Sequence, residues 1–224
     1  ADTAQLQPVP NDNDPNVLPS YDDFHDVLLQ AKGGPGWDGW TGHEVQTIGR
    51  HMPRATEELL QLWTDTTKAA PLAYANHAHA PSLALVYDEL YRTRTVGIPK
   101  TDDDSRPISI FSGLVRCWHR ALLKLLPQPP PDQWAGKPGV SVVTATAHWL
   151  AANKKCGAEL DLSRAFDTIG HQVAYQAQQR SGVPTTISSL LAMSWRAERV
   201  CTVRSKPTIP IRPTRGIPQG CPTS

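Results

Sequence analysis

Hydrophobic positions over residues 20–92 recur with the spacing of helices. After Ser20, apolar residues stand at positions 24, 27, 28 and 31, which lie on one face of a helix. Ser20 and Thr41 each precede an acidic residue by three positions, the spacing of an N-terminal capping pair, and predict two helix starts. Two further helices are predicted over about 53–68 and 82–92. The apolar face predicted for the third helix comprises Leu59, Leu60, Leu62 and Trp63.

After residue 92 the pattern changes to short alternating runs mixed with helical ones. Strands over 93–100 and 106–111, separated by the polar turn TDDDS, predict a β-hairpin, and a helix over 112–126 follows it. A mixed α+β class is therefore predicted. The remaining predicted elements are helices over 141–153, 171–180 and 184–195, strands over 156–162 and 199–205, and a Gly/Pro-rich loop over 212–224.

Charge divides the chain more sharply than its total suggests. The 224 residues hold 22 basic and 21 acidic side chains, for a net charge of +1. Residues 1–90 hold four basic and thirteen acidic residues, a net charge of −9, whereas residues 91–224 hold eighteen basic and eight acidic residues, a net charge of +10. The basic part is a candidate polyanion-binding surface, although charge alone leaves an ordinary solvated face open.

Several classes of protein are disfavoured by the sequence. No run of eighteen apolar residues predicts a membrane span, and no charged segment followed by an apolar stretch predicts a secretory signal. The expectation is an intracellular protein without membrane partners. The four cysteines form no CxxC pair, so we expect free thiols rather than a zinc ribbon.

Two acidic residues lie at the end of the predicted strand 156–162 and just beyond it. Asp161 stands between two leucines, where a carboxylate is held rigidly and offers the hard oxygen ligand that Mg²⁺ prefers; an ordinary strand-end aspartate is the alternative. Asp167 is interpreted as the cap of the helix that follows.

Two further groups of residues suit a phosphorylated ligand. Lys100 and Arg106 fall on neighbouring strands of the predicted hairpin, and paired cations suit a triphosphate. In the last loop, Gly216 and Gly220 permit close backbone approach, and Gln219 is expected to project from a rigid turn. Surface cations and a surface loop are the alternatives.

The order of these blocks resembles that of the reverse transcriptases of non-LTR retrotransposons and group II introns. GWDGWTGHEV (36–45) is similar to their N-terminal GPDG block, and the segment 98–126 to their IPK and RPIS fingers pattern. QWAGKPGVSVVTATAHWL (133–150) is similar to the block that follows. ELDLSRAFDTIGH (159–171) resembles their motif A, and RGIPQGCPTS (215–224) their motif B.

The resemblance implies part of a right-hand polymerase. Residues 1–19 would be a flexible leader, residues 20–92 an acidic helical N-terminal extension, and residues 93–224 the fingers and part of the palm. The activity implied is RNA-directed DNA synthesis by two-metal nucleotidyl transfer. Its partners would be an RNA template, a DNA primer and a deoxynucleoside triphosphate, and its cofactors two Mg²⁺ ions.

The resemblance also implies roles for single residues. Asp161 would be the catalytic, metal-binding aspartate, and the Leu162 carbonyl would share the second ion. Phe166 would pack beneath the sugar and exclude a 2′-hydroxyl. The other residues implied to bind the nucleotide are Lys100 and Arg106 at the triphosphate, the backbone of Arg164 and Ala165, and Gln219 and Gly220 at the incoming base.

The sequence departs from the family pattern in ways that leave alternatives open. GKPG (136–139) lacks the aromatic residue of the family's GFRPG, and the 224 residues contain no aromatic-x-Asp-Asp motif. The expectation is therefore that this chain alone is inactive. A non-catalytic nucleic-acid-binding remnant and a helical interaction scaffold are the two alternatives of a different kind.

Overall fold

The computed structural model describes residues 18–76, 81–99, 105–126, 165–203 and 206–218. The helix predicted over 141–153 and the strand predicted over 156–162 lie outside these residues. The described residues belong, Ala165 apart, to one compact unit of the chain. Helices and strands both occur in it, so the predicted α+β class is confirmed.

Both capping pairs begin helices where the sequence predicts them. Helix α1 (Tyr21–Leu29) begins after Ser20, whose hydroxyl oxygen accepts a hydrogen bond from the Asp23 amide at 3.1 Å. Helix α2 (Gly42–His51) begins with a full capping box, in which Thr41 and Glu44 bind each other's backbone amides. Each cap satisfies amides that a helix start otherwise leaves unpaired.

Helix α3 (Pro53–Asn76) differs from its prediction in both length and face. It continues past the expected end near Lys68 and contains Pro71, which lacks the amide that would bond the carbonyl four residues earlier. Leu62 is 48% exposed, so the predicted leucine-rich face is wrong in that position. The face turned to the core is mostly small residues: Thr56, Trp63, Thr66, Thr67, Ala70 and Ala73.

Hydroxyl groups on that face are buried without being left unpaired. Thr66 donates to the Leu62 carbonyl and Thr67 to the Trp63 carbonyl, each at 2.7 Å. A buried hydroxyl costs little when it is hydrogen-bonded, and a small side chain allows a neighbouring helix to approach closely. The sequence periodicity therefore misses this face because it counts only large apolar residues.

One four-stranded sheet follows helix α4 (Pro81–Tyr91). Strands β1 (Thr93–Pro99) and β2 (Ser105–Ile110) form the predicted antiparallel hairpin. Strand β3 (Arg199–Val203) pairs in parallel with β1, and the short β4 (Lys206–Pro207) lies beyond it, so the strand order is β2-β1-β3-β4. The parallel pairing was not predicted from the sequence.

Helix α5 (Gly113–Leu123) carries the centre of the hydrophobic core. Its Trp118 is fully buried, stacks on Trp63 with ring centroids 6.1 Å apart, and meets the edge of Phe24. The indole nitrogen of Trp118 donates to the Thr67 hydroxyl at 3.1 Å. Helices α1, α3 and α5 are thus joined through one aromatic side chain whose polar atom is also satisfied.

Three helices complete the described fold. They are α6 (Ala165–Thr168), α7 (His171–Arg180) and α8 (Thr185–Arg196). Helix α8 is buried at every position from Ile187 to Trp195, and it packs on α3, α4 and α7. The two longer helices confirm the sequence pattern, whereas the one-turn α6 was not predicted. Within the described part of the chain, no helix is long and apolar enough to cross a membrane.

The buried histidine of α5 predicts a measurable pH dependence of stability. His119 has no exposed surface, and burial lowers its pKa to about 3. Because its pKa in the unfolded chain is about 6.5, the unfolded state binds more protons, and the free energy of unfolding falls as the pH drops below about 6.5. When the pH falls from 7 to 5.5, we expect the free energy of unfolding of the unmodified chain to decrease by about 1 kcal/mol more than that of the variant His119→Phe.

Urea denaturation of both proteins at the two pH values measures this difference. Other titrating groups are shared by the two chains, so their contributions cancel in the comparison. Equal losses of stability in the two proteins would contradict the prediction.

Candidate functional site

The structure describes three of the site residues named from the sequence. These are Arg106, Ala165 in the first position of α6, and Phe166. The others lie outside the described residues: Asp161, Leu162, Lys100, Arg164, Gln219 and Gly220. Their roles remain predictions.

Arg106 lies towards the tip of the β1–β2 hairpin, with an exposed side chain. It pairs with Ile98, which lies three positions beyond Thr95, the last β1 residue that pairs with β3. At about 3.3 Å per residue, the hairpin carries Arg106 roughly 10 Å along the strand from the end of that pairing. Arg106 is therefore available to a ligand that approaches the outer part of the hairpin.

Phe166 lies in the single turn of α6, and its side chain is 42% exposed. Several other large apolar residues are exposed in the described part of the chain, so the exposure of Phe166 makes its ring accessible but does not by itself assign it a role. The position fits a side chain that meets a ligand. The predicted contact with a sugar is thus compatible with the surface that Phe166 presents.

The backbone of this turn pairs with the first residues of motif B. The Ile217 amide donates to the Phe166 carbonyl, and the Gly216 amide donates to the Ile169 carbonyl, both at 2.8 Å. Gly170 and Arg215 form an antiparallel bridge beside these bonds. We call this pairing of residues 166–170 with residues 215–217 the A–B junction. It brings the ends of two segments that the sequence separates by more than forty residues into direct contact.

Gly216 fits the A–B junction because it has no side chain. Its φ is +89°, in the left-handed region, and a Cβ placed there would lie 3.1 Å from the Asp167 carbonyl oxygen and 3.2 Å from the Asp167 Cα. Both obstacles are backbone atoms, which cannot turn aside as a flexible side chain can. The close approach anticipated for this glycine is therefore observed.

Two side chains donate to the Gly216 carbonyl, and sequence reasoning gave neither a role. The His171 Nε2 and an Arg199 guanidinium nitrogen each donate to it at 3.0 Å. Burial lowers the pKa of His171, and burial also lowers the pKa of Arg199, an effect that the nearby Asp167 carboxylate opposes. Every residue has a backbone carbonyl, so the sequence does not indicate which carbonyl accepts a side-chain hydrogen bond. The roles of His171 and Arg199 could therefore not be predicted from the sequence.

The segment that leads into motif B is held at several points. Ile211 exchanges two backbone hydrogen bonds with Arg199, at 2.8 and 2.9 Å. Arg212 donates to the buried carboxylate of Asp88 in α4 and lies 3.6 Å from Glu198. Burial raises the pKa of Asp88, and the bond to Arg212 opposes that rise. The chain therefore reaches Arg215 along a defined path.

Asp167 does not cap the following helix, so that interpretation was wrong. It lies inside α6, and the N-cap of α7 is Gly170, which makes no side-chain capping bond. Helix α7 instead begins with His171, whose ring is committed to the Gly216 carbonyl. The turn is fixed by the A–B junction, not by a carboxylate cap.

The metal ligands expected from the sequence, Asp161 and the Leu162 carbonyl, fall outside the described residues. Among the residues that are described, no group of three or more His, Cys, Asp or Glu side chains could hold a metal ion. The carboxylate and carbonyl oxygens proposed as ligands are of the hard type that divalent Mg²⁺ prefers.

Comparisons with known proteins identify the family. Residues 98–224 match the family model described as reverse transcriptase (RNA-dependent DNA polymerase). A curated relative, the retrovirus-related Pol polyprotein from type-1 retrotransposable element R2 of Popillia japonica, is 31% identical over 210 residues. That alignment covers 85% of this chain and 26% of the relative, so the chain spans about a quarter of the length of that protein.

The matched range contains the last two residues of β1, the whole of β2, motif A and motif B, and therefore the whole A–B junction. It does not contain the helices before residue 98. A helical scaffold that carries motif A by chance is not compatible with a family match of this extent.

Replacing Gly216 tests the geometry of the A–B junction. Gly216→Ala should lower the free energy of unfolding by about 1–3 kcal/mol, because alanine is strained at this φ and its Cβ meets the Asp167 backbone. The matched control is Gly34→Ala, where an added Cβ would meet nothing within 4 Å and the change should stay within about 0.5 kcal/mol. Equal effects of the two substitutions in urea denaturation would contradict the close approach.

Proposed function

Because the chain belongs to the reverse transcriptase (RNA-dependent DNA polymerase) family, we propose that it is a fragment of a polymerase that copies retrotransposon RNA into DNA. The observation that carries the proposal is the A–B junction, which places the exposed Phe166 beside the start of motif B. In the proposed nucleotide pocket these two segments would lie on either side of one ligand. We further propose that residues 20–92 form its N-terminal extension and residues 93–224 its fingers and partial palm.

The chemistry of the proposed residues is that of nucleotidyl transfer. Asp161 and the Leu162 carbonyl would hold divalent ions, proposed to be Mg²⁺, which lower the barrier by activating the primer hydroxyl and stabilising the leaving pyrophosphate. Arg106 and Lys100 would neutralise the triphosphate, and Arg164 and Ala165 would approach it with their backbone. Gln219 and Gly220 would position the incoming base.

The proposed macromolecular ligands are an RNA template and a DNA primer. Their phosphates match the positive charge of residues 91–224, which carry a net +10. Electrostatic contacts of this kind weaken as salt rises, because binding releases counterions from the nucleic acid. Family membership supports this choice of ligands, and the exposed Arg106 on the hairpin is one cation able to contribute.

The first test removes the proposed metal ligand. In the polypeptide translated from the complete reading frame that contains residues 1–224, Asp161→Asn should abolish deoxythymidine incorporation on poly(rA)/oligo(dT) with Mg²⁺. The loss is expected because the amide has no negative charge and binds a hard divalent cation more weakly than a carboxylate does. Asp38→Asn, in the turn between α1 and α2, is the control and should leave incorporation unchanged.

The same assay distinguishes a functional polymerase from a non-catalytic nucleic-acid-binding remnant of one. If the unmodified polypeptide incorporates deoxynucleotide and the Asp161→Asn variant incorporates it equally well, the role of Asp161 is refuted. No incorporation, together with RNA binding that falls steeply with salt, would instead favour the non-catalytic nucleic-acid-binding remnant.

The second test concerns the sugar. Phe166→Val should raise ribonucleotide incorporation relative to deoxynucleotide incorporation by about tenfold or more, because a smaller side chain leaves room for a 2′-hydroxyl; tenfold corresponds to about 1.4 kcal/mol. The control is Val173→Ala, which shortens another exposed apolar side chain, on α7. Single-nucleotide extension of a primed template measures both rates. An unchanged ratio in Phe166→Val would remove Phe166 from the pocket.

A further inference from the structure

The Gly216 carbonyl carries a pair of donors that the family chemistry does not explain. A carbonyl oxygen has two lone pairs, and here the His171 imidazole and the Arg199 guanidinium occupy both, each at 3.0 Å. The donors come from different elements, since His171 opens α7 and Arg199 opens β3. A single backbone oxygen therefore ties a helix, a strand and the start of motif B together.

This arrangement is costly if its only purpose is packing. His171 is 4% exposed, and the Arg199 guanidinium is half-buried. Removing a cation from water is unfavourable unless hydrogen bonds compensate, whereas an apolar residue would fill the same space without that cost. Arg199 also reaches the Trp195 carbonyl at 3.4 Å, but its shorter bond is the one to Gly216.

The groups around the two donors account for their charge state. Burial lowers the pKa of His171, the bond to the Gly216 carbonyl opposes that fall, and the cations of Arg196 and Arg199 add to it, so the neutral ring is favoured. A carbonyl can only accept, so the proton of the neutral ring lies on Nε2. Asp167, in α6, is the carboxylate whose charge favours the cationic form of Arg199.

Any movement of Gly216 is transmitted to Phe166. The Gly216 amide is bonded to the Ile169 carbonyl, and the next amide, of Ile217, is bonded to the Phe166 carbonyl. The backbone of Gly216 also passes close to α6, since a Cβ placed on it would lie 3.1 Å from the Asp167 carbonyl oxygen. The bonds that the Gly216 carbonyl accepts from His171 and Arg199 therefore help to hold the beginning of motif B beside α6.

We propose that His171 and Arg199 are positioning residues of the nucleotide pocket, which set the discrimination between deoxyribose and ribose by fixing the Gly216 carbonyl. The proposal rests on the polymerase function proposed above. Neither residue touches the nucleotide in this proposal, and both act on Phe166 through the A–B junction. A displacement of about 1 Å at such a site can change rates by about a hundredfold, so even a small relaxation is measurable.

The test compares donor removal with donor replacement in the full-length polypeptide. His171→Phe keeps a ring and removes the donor, whereas His171→Gln keeps a nitrogen donor in a comparable place. We expect His171→Phe to lower the ratio of deoxynucleotide to ribonucleotide incorporation about tenfold and to raise KM for the deoxynucleotide more than it lowers kcat. His171→Gln should restore most of the ratio.

A matched control removes a buried donor elsewhere. Tyr87 donates its hydroxyl to the Thr66 carbonyl at 2.7 Å, and Tyr87→Phe deletes that bond without touching the A–B junction. It should lower stability as His171→Phe does and leave the sugar ratio unchanged. Arg199→Met provides a second, independent variant, with the same expected change in the ratio, should His171→Phe fold poorly.

Amide hydrogen exchange gives a readout that does not need activity. Peptides that contain Gly216 and Ile217 should exchange about tenfold faster in His171→Phe and Arg199→Met than in the unmodified protein, and should be unchanged in Tyr87→Phe. We call His171→Phe and Arg199→Met the junction variants. If the Gly216 and Ile217 amides exchange as slowly in both of them as in the unmodified protein, the proposal is overturned.

The activity results separate the two hypotheses. The proposal fails if the unmodified enzyme prefers deoxynucleotides and the junction variants keep both that preference and KM. It also fails if Tyr87→Phe changes the ratio as much as they do. An unmodified polypeptide that incorporates no nucleotide overturns the polymerase function instead, while the exchange experiment still measures whether His171 and Arg199 hold the junction.

Discussion

The backbone of residue 216 has a left-handed φ and passes so close to Asp167 that any other residue would be strained there, and the candidate site depends on that approach. The amides of Gly216 and Ile217 can reach the Ile169 and Phe166 carbonyls because no Cβ holds the two segments apart. A left-handed φ then directs the Gly216 carbonyl towards His171 and Arg199. One residue type at one position thus allows both the pairing of the segments and the bonds that hold it.

The rest of the described fold supplies rigid attachment points for this junction. Arg199 belongs to β3, which is paired with β1, and His171 begins α7, which packs on α8, a helix buried from Ile187 to Trp195. Helix α8 in turn packs on α3, whose Trp63 and Thr67 contact Trp118 at the centre of the core. Polar groups that orient a site need such support, because their own hydrogen bonds are too weak to resist a mobile scaffold.

Local features were predictable from the sequence, and distant pairings were not. The Thr41–Glu44 capping box and the β1–β2 hairpin depend on residues close together in the chain, so their patterns are visible in it. The core face of α3 was not predicted, because its buried threonines are polar residues whose hydroxyls are hydrogen-bonded within their own helix. The roles of His171 and Arg199 escaped because their acceptor is a backbone oxygen, whereas the glycine that presents it was recognised from its motif.

The parallel pairing of β1 with β3 has a consequence for the chain while it is being synthesised. Thr93 and its neighbours leave the ribosome before the whole of residues 111–198, yet their partners begin at Arg199. During that interval the β1–β2 hairpin can form, but one edge of β1 keeps its amides and carbonyls unpaired. An open strand edge is a template for association with other chains, and pairings between distant segments form slowly. The nascent chain therefore has a period of exposure to aggregation that ends only when β3 has been synthesised and has docked beside β1.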